Sequence, residues 1–139
     1  VNIDLVGLAV LCDDPRASAA WFAEHFGFNV NIDLGWYLNT QHEDHPKLSI
    51  DFVLRDHPST HEVLRSGRAE SLVAFLVPDV DAEEKRLREA GVEVIMPLVS
   101  EPWGQRRFQV SGPEGLYVEI LQMVAPDPQW MRDNGFAEE

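Results

Sequence analysis

Apolar residues recur along this chain at two spacings, and the switches between them divide it into elements. Ile3 to Leu11 is a short, β-branched apolar run that reads as a strand, closed by Asp13-Asp14-Pro15. Asp14 is placed to cap a helix with Pro15 in its first position. Ala19, Phe22, Ala23 and Phe26 then share one stripe at helical spacing, so the helix runs to about His25 and Gly27 stops it. Strands are predicted over Phe28 to Leu34, Trp36 to Asn39 and, after a polar loop, Leu48 to Leu54, with a short helix or turn over Thr60 to Gly67. The same plan then returns. Leu72 to Val77 reads as a strand, and a helix opens at Asp79 to Asp81, where Asp81-Ala82-Glu83-Glu84 has a capping-box arrangement. Val80, Leu87 and Ala90 form its inner side, the charged run from Glu83 to Glu89 its solvated side, and Gly91 its end. Strands follow over Val92 to Leu98, Arg106 to Val110 and Tyr117 to Gln122. The last two are joined by the turn residues Ser111-Gly112-Pro113-Glu114-Gly115.

The two halves superimpose on each other without reference to any other protein. Asp13 and Asp79 close a first strand, Gly27 and Gly91 end a helix, and KLSIDFVL from Lys47 reads against GLYVEILQ from Gly115. In that register Leu48 matches Leu116, Ile50 matches Val118 and Asp51 matches Glu119. The chain is therefore expected to be α+β, two tandem βαβββ modules over about 1–57 and 68–125 with a tail at 126–139, packed as a single domain over 1–139. Strand alternation fixes the faces: with Val118 and Ile120 under a helix, Tyr117, Glu119 and Leu121 look the other way, as do Ser49, Asp51 and Val53. A carboxylate among apolar neighbours either borders a water-filled cavity or needs a partner, and Arg106 or Arg107 could supply one to Glu119.

Composition narrows the classes. A chain of 139 residues, 45% hydrophobic and 25% charged, suits one compact globular core. No apolar run approaches the roughly 18 residues of a membrane span, and the first residues lack a signal-like pattern, so a cytoplasmic location is expected. The single cysteine, Cys12, cannot form an internal disulfide and reads as a small buried hydrophobe. A formal net charge of −13 disfavours nucleic acid and anionic membranes as partners. It serves solubility, or it draws a cationic or electron-poor ligand if carboxylates line a pocket. Four of the five histidines flank the Leu48 to Leu54 strand as His42, His45, His57 and His61. They lack the helical HExxH frame and are read as solvated loop residues.

Trp103-Gly104, the turn Gly112-Pro113-Glu114-Gly115 and Glu119 in the last strand resemble the final hairpin of the glyoxalase, bleomycin-resistance and extradiol-dioxygenase family, the vicinal oxygen chelate fold. Gly112 stands where that family more often has aspartate. The resemblance implies curved mixed sheets around a cleft with the helices outside. It also implies, for the enzymes of the family, a divalent metal held by histidines on both opening strands, by a further side-chain ligand and by the closing glutamate. Here the histidine positions fall on Gly7 and Leu72, which cannot ligate, so only Glu119 remains and no metal, cofactor or catalytic residue is assigned. Gly7, Ala9 and Ala74 leave room beside the cleft axis, and Trp36, Tyr37, Trp103 and Tyr117 offer flat surfaces, although one of the two tryptophans is expected to be core. A stacked ring contributes roughly 1 kcal/mol beyond area burial.

These features resemble the metal-free, antibiotic-binding branch of the family. That likeness implies sequestration of a planar aromatic, DNA-active natural product or peptide antibiotic, with Asp51, Gln105, Arg107 and Glu119 fixing its polar groups, in a homodimer. The alternative is a lyase, isomerase or dioxygenase of the same fold with Glu119 as general base or metal ligand. The tail is expected to form a short helix from Asp127-Pro128 to near Gly135. Its Trp130, Met131 and Phe136 would then pack on the partner subunit or the cleft rim.

Overall fold

A computed structural model describes residues 1–2, 7–66 and 71–136 and divides the chain into two compact units, 1–69 and 70–139. In the first unit the elements run β1 (Leu8–Cys12), α1 (Pro15–Phe26), β2 (Phe28–Asp33), β3 (Tyr37–His42), β4 (Ser49–Leu54) and α2 (Glu62–Ser66). The Ile3 to Val6 part of the predicted first strand, and residues 67–70 beyond α2, lie outside the described residues. The strands form one mixed sheet in the order β1-β4-β3-β2, with β1 parallel to β4 and the other pairs antiparallel.

The helix of this unit forms where its cap and stop demand. The Asp14 side chain accepts from the Ala17 N–H at 3.1 Å, and Gly27 closes the last turn at φ +70 with its N–H directed at the Ala23 and Phe22 carbonyls. A Cβ at Gly27 would stand 2.9 Å from a Glu43 carboxylate oxygen, so both conformation and space call for glycine there. Ala19 and Phe22 of the predicted stripe are fully buried, and Phe22 packs on Phe52 and Phe28 at ring-centroid separations of 5.4 and 6.4 Å. Leu38, Thr40 and Ile50 complete the layer, the Thr40 hydroxyl donating to the Ile50 carbonyl at 2.8 Å. Cys12 is buried on the same side.

The second unit repeats the order with β5 (Ser71–Leu76), α3 (Val80–Glu89), β6 (Val94–Glu101), β7 (Gln105–Ser111), β8 (Leu116–Met123) and α4 (Pro128–Asp133). Its sheet is ordered β5-β8-β7-β6, again with one parallel pair, β5 with β8. Val80 and Leu87 of α3 are buried together with Phe108, Val110, Val118 and Ile120 of the sheet. The fold class read from the sequence is thus present: α+β, two βαβββ modules, each with a four-stranded mixed sheet and its long helix on one face.

Several local expectations change. Asp79, not the Asp81 capping box, caps α3, its carboxylate accepting from the Ala82 N–H at 3.1 Å. Asp81 instead binds Arg106 of β7, with contacts of 2.7 and 2.9 Å, and Glu83 turns along the helix to Arg86. Ala90 is exposed, because α3 ends at Glu89. β6 begins at Val94 and continues to Glu101, since its ladder to β7 runs out to the pair Glu101 and Gln105. Among the described residues no helix is long and apolar enough to cross a membrane.

Candidate functional site

Each unit turns one face of its sheet away from its long helix, and the polar chemistry gathers on these two faces. In the second unit β7 and β8 pair so that Arg107 stands opposite Leu121 and Gln109 opposite Glu119. Odd-numbered residues of both strands share the helix-free face, while Arg106, Phe108, Ile120 and Gln122 share the other. That alternation decides the partner of Glu119. Arg107 donates from Nη1 to Glu119 Oε1 at 2.7 Å, and the Gln109 carboxamide donates to the same oxygen at 3.0 Å. Arg106, the other arginine considered from the sequence, lies on the opposite face with Asp81.

Arg107 also binds Glu101 through Nε and Nη2 at 3.2 and 3.1 Å, so one guanidinium holds two carboxylates. Glu119 is only 8% exposed, and its charge is tolerable there because these donors replace water. Hydrogen bonds from Arg107 to Glu119, with those to Glu101, keep the guanidinium pKa above its usual value. The Arg107 guanidinium carbon lies 5.6 Å from the centre of the Trp103 ring. The Trp103 indole N–H donates to the Gln105 side-chain oxygen at 2.9 Å. Four of the residues singled out from sequence, Trp103, Gln105, Arg107 and Glu119, are therefore joined in one connected group. Tyr117 is half-buried on the same face, two residues before Glu119.

The tail joins this group. The Val124 N–H bonds the Gly104 carbonyl at 2.9 Å and the Asp127 N–H bonds the Pro102 carbonyl at 2.8 Å. Gly104 is at φ +99, and a Cβ there would lie 3.0 Å from the Val124 oxygen, so the tail passes where only glycine leaves room. The result sets Trp130 6.0 Å from Trp103, with Phe136 stacked on Trp130 at 5.9 Å. The tail aromatics thus pack against the β6–β7 turn of their own unit.

In the first unit the matching face carries Tyr37, Asn39 and Asp51, with Asn39 directly opposite Asp51. The Asn39 amide nitrogen donates to Asp51 Oδ1 at 2.7 Å and to the Ser49 hydroxyl at 2.8 Å, while its oxygen accepts from Asn31 at 3.1 Å. Burial, and then the hydrogen bond to Asp51, push the Tyr37 phenol above its ordinary pKa of 10.0. Trp36, just before β3, is covered on one side by His57, with ring centres 3.9 Å apart and planes 4° from parallel. His57, a residue of the loop after β4, is thus also a stacking partner of Trp36. His42 likewise contacts the Phe28 ring at 5.1 Å. The expectation that Trp36 or Trp103 is core is also corrected: Trp36 is half-buried and Trp103 is 39% exposed.

The two faces are copies of one arrangement. A carboxylate on the last strand of the module (Asp51, Glu119) faces a carboxamide on the strand beside it (Asn39, Gln109), and the third group comes two residues earlier on that strand (Tyr37, Arg107). Sequence reasoning missed Asn39, Gln109 and Glu101. The internal repeat held the signal for the two carboxamides, but reading it required the antiparallel register of the hairpins.

The metal set implied by the resemblance does not fit these residues. Leu8 and Val73 occupy equivalent places opposite Ile50 and Val118, which makes Gly7 and Leu72 equivalent as well. Neither offers a side-chain donor atom, and Glu119 Oε1 already accepts from Arg107 and Gln109. Among the described residues no group of three or more His, Cys, Asp or Glu side chains could hold a metal ion.

The family model described as the glyoxalase, bleomycin resistance protein and dioxygenase superfamily matches residues 4–120. No curated protein matches the chain by sequence. Among solved structures, TnmS3, an antibiotic binding protein from Streptomyces sp. CB03234, is 24% identical with a TM-score of 0.67, covering 88% of this chain and 97% of its own. A glyoxalase, bleomycin resistance protein or dioxygenase from Nocardioides is 17% identical with a TM-score of 0.74, over 89% and 85% of the two chains. A lactoylglutathione lyase from Agrobacterium tumefaciens is 17% identical with a TM-score of 0.69, over 85% and 92%. At these identities the likenesses are of fold.

Proposed function

The chain belongs to the glyoxalase, bleomycin resistance protein and dioxygenase superfamily, and from that premise we propose that it is a metal-independent binding protein which sequesters a planar aromatic, DNA-active natural product. The observation that carries this reading is the occupation of Glu119. The carboxylate at the family's closing metal position accepts at Oε1 from Arg107 and Gln109, and the positions that would supply histidines are Gly7 and Leu72. Glu119 is thereby fixed as part of a ligand face and lacks the histidine partners of a metal site, which argues against a metal-dependent lyase, isomerase or dioxygenase.

In this proposal Trp36, Tyr37, Trp103 and Tyr117 supply stacking surfaces, and Asp51, Gln105, Arg107 and Glu119 supply polar groups to the ligand. None of the four aromatic residues is fully buried, so each keeps surface for a ligand. The existence of an antibiotic binding protein with this fold adds support. Binding would be stoichiometric and without bond changes, by a homodimer in the cytoplasm; sedimentation of the purified protein at a dimer mass is the expected outcome for assembly.

The test is a tryptophan-fluorescence titration of chelator-treated protein with planar DNA-active antibiotics, followed by recovery of the compound. Saturable quenching with the compound returned intact is expected. A transformed compound, or binding that appears only after a divalent metal is restored, would reject the reading in favour of an enzyme.

A further inference from the structure

The two copies of the carboxylate arrangement differ in one respect that bears on what a ligand must carry. In the second unit the third group is Arg107, a permanent cation in direct contact with both Glu119 and Glu101. In the first unit the third group is Tyr37, and among the described residues the donors to Asp51 are neutral: the Asn39 amide at 2.7 Å and the Ser49 hydroxyl at 3.5 Å. Among the described residues Asp51 forms no ion pair. Neutral donors orient a carboxylate without cancelling its charge.

Orientation is nonetheless strict. Asn39 uses both amide hydrogens on Asp51 and Ser49, and its oxygen is fixed by Asn31. A carboxylate offers about four acceptor positions, so Asp51 retains capacity after these contacts. It is half-buried, where a charge is screened less than on an open surface. Among the described residues no cation meets this charge, so a cation carried by a ligand would find it uncancelled.

We propose that Asp51 is the charge-selecting residue of the binding protein, pairing with a cationic group, an ammonium or amidinium type, attached to a planar aromatic ligand. Asn31, Asn39 and Ser49 position Asp51, while Glu119 and Glu101 share in Arg107 a counter-charge that Asp51 lacks among the described residues, so Asp51 is the carboxylate open to a cation of the ligand. The inference rests on the ligand-binding reading above and deepens it by naming the charge of the ligand and the side chain that reads it.

The experiment compares two planar tricyclic probes on the unmodified protein: proflavine, which is cationic near neutral pH, and acridone, which is neutral. Both are titrated by fluorescence at low and at moderate salt. Proflavine is expected to bind about tenfold or more tightly than acridone, with the advantage shrinking as salt rises. Asp51→Asn should remove most of that advantage, weakening proflavine binding far more than acridone binding. Glu89→Gln, which makes the same change in net charge on the exposed side of α3, should preserve the advantage. Equal affinity of the two probes for the unmodified protein overturns the inference while sparing the binding function. So does an advantage that survives Asp51→Asn or is lost instead in Glu119→Gln. Failure of both probes to bind overturns the inference together with the function it rests on. The comparison on the unmodified protein does not depend on how any variant folds.

Discussion

Tyr37 and Arg107 occupy the same place in two copies of one three-residue arrangement, and the difference between a phenol and a guanidinium sets the character of each face. Arg107 gives Glu119 a counter-charge; Tyr37 gives Asp51 only a hydrogen bond. The phenol provides a direct readout. Burial and the Asp51 bond favour its neutral form, so its folded pKa lies above 10.0. The stability this contributes is complete below pH 10 and is lost as pH rises through the folded value. Followed by tyrosinate absorbance, one of the two tyrosines is expected to ionise late, and Tyr37→Phe should delete that component. Asp51→Asn should bring it only part of the way back, because burial is the larger cause. A late component that persists in Tyr37→Phe would exclude this environment.

At the scale of elements, the caps and periodicity that the sequence and the structure share are set by residues that are neighbours in sequence. Asp14 with Pro15, the Phe22 stripe and the Gly27 stop all lie within one helix length and all appear as expected. The capping box at Asp81 failed because Asp79, two residues earlier, satisfies the same helix end. Asp81 has a better partner in Arg106, a residue 25 positions away that no local pattern reveals. Asp79→Ala is accordingly expected to destabilise the fold by about 1 kcal/mol. Asp81→Ala should cost distinctly less, since an exposed pair contributes little. Urea denaturation of the two variants checks the order, and the reverse order would return the cap to Asp81. The start and end of β6 were misplaced for a related reason: its limits follow its ladder with β7, not its own composition.

For the whole molecule the governing quantity is a net charge of −13 on 139 residues. Exposed pairs such as Arg16 with Asp33 favour the fold at low salt, while the excess of like charge opposes it. The imbalance makes repulsion the larger contribution, so thermal stability at neutral pH should rise when ionic strength increases from about 0.01 to 0.15 M, as the screening length falls from about 30 to 8 Å. A melting temperature that falls over this range would show that the pairs outweigh the repulsion. The sequence by itself determined the α+β class, the order of elements, the internal repeat and the face on which Asp51 and Glu119 lie, because periodicity, caps and turn residues act over a few positions. Tertiary structure alone decided that Asn39 meets Asp51, that Arg107 and not Arg106 meets Glu119, that His57 covers Trp36 and that Trp130 packs on Trp103. The two carboxylate contacts depend on the register between strands, where a slip of one residue would turn every side chain to the opposite face. The two ring contacts depend on where loops and tail return to the sheet, which no spacing along the chain specifies.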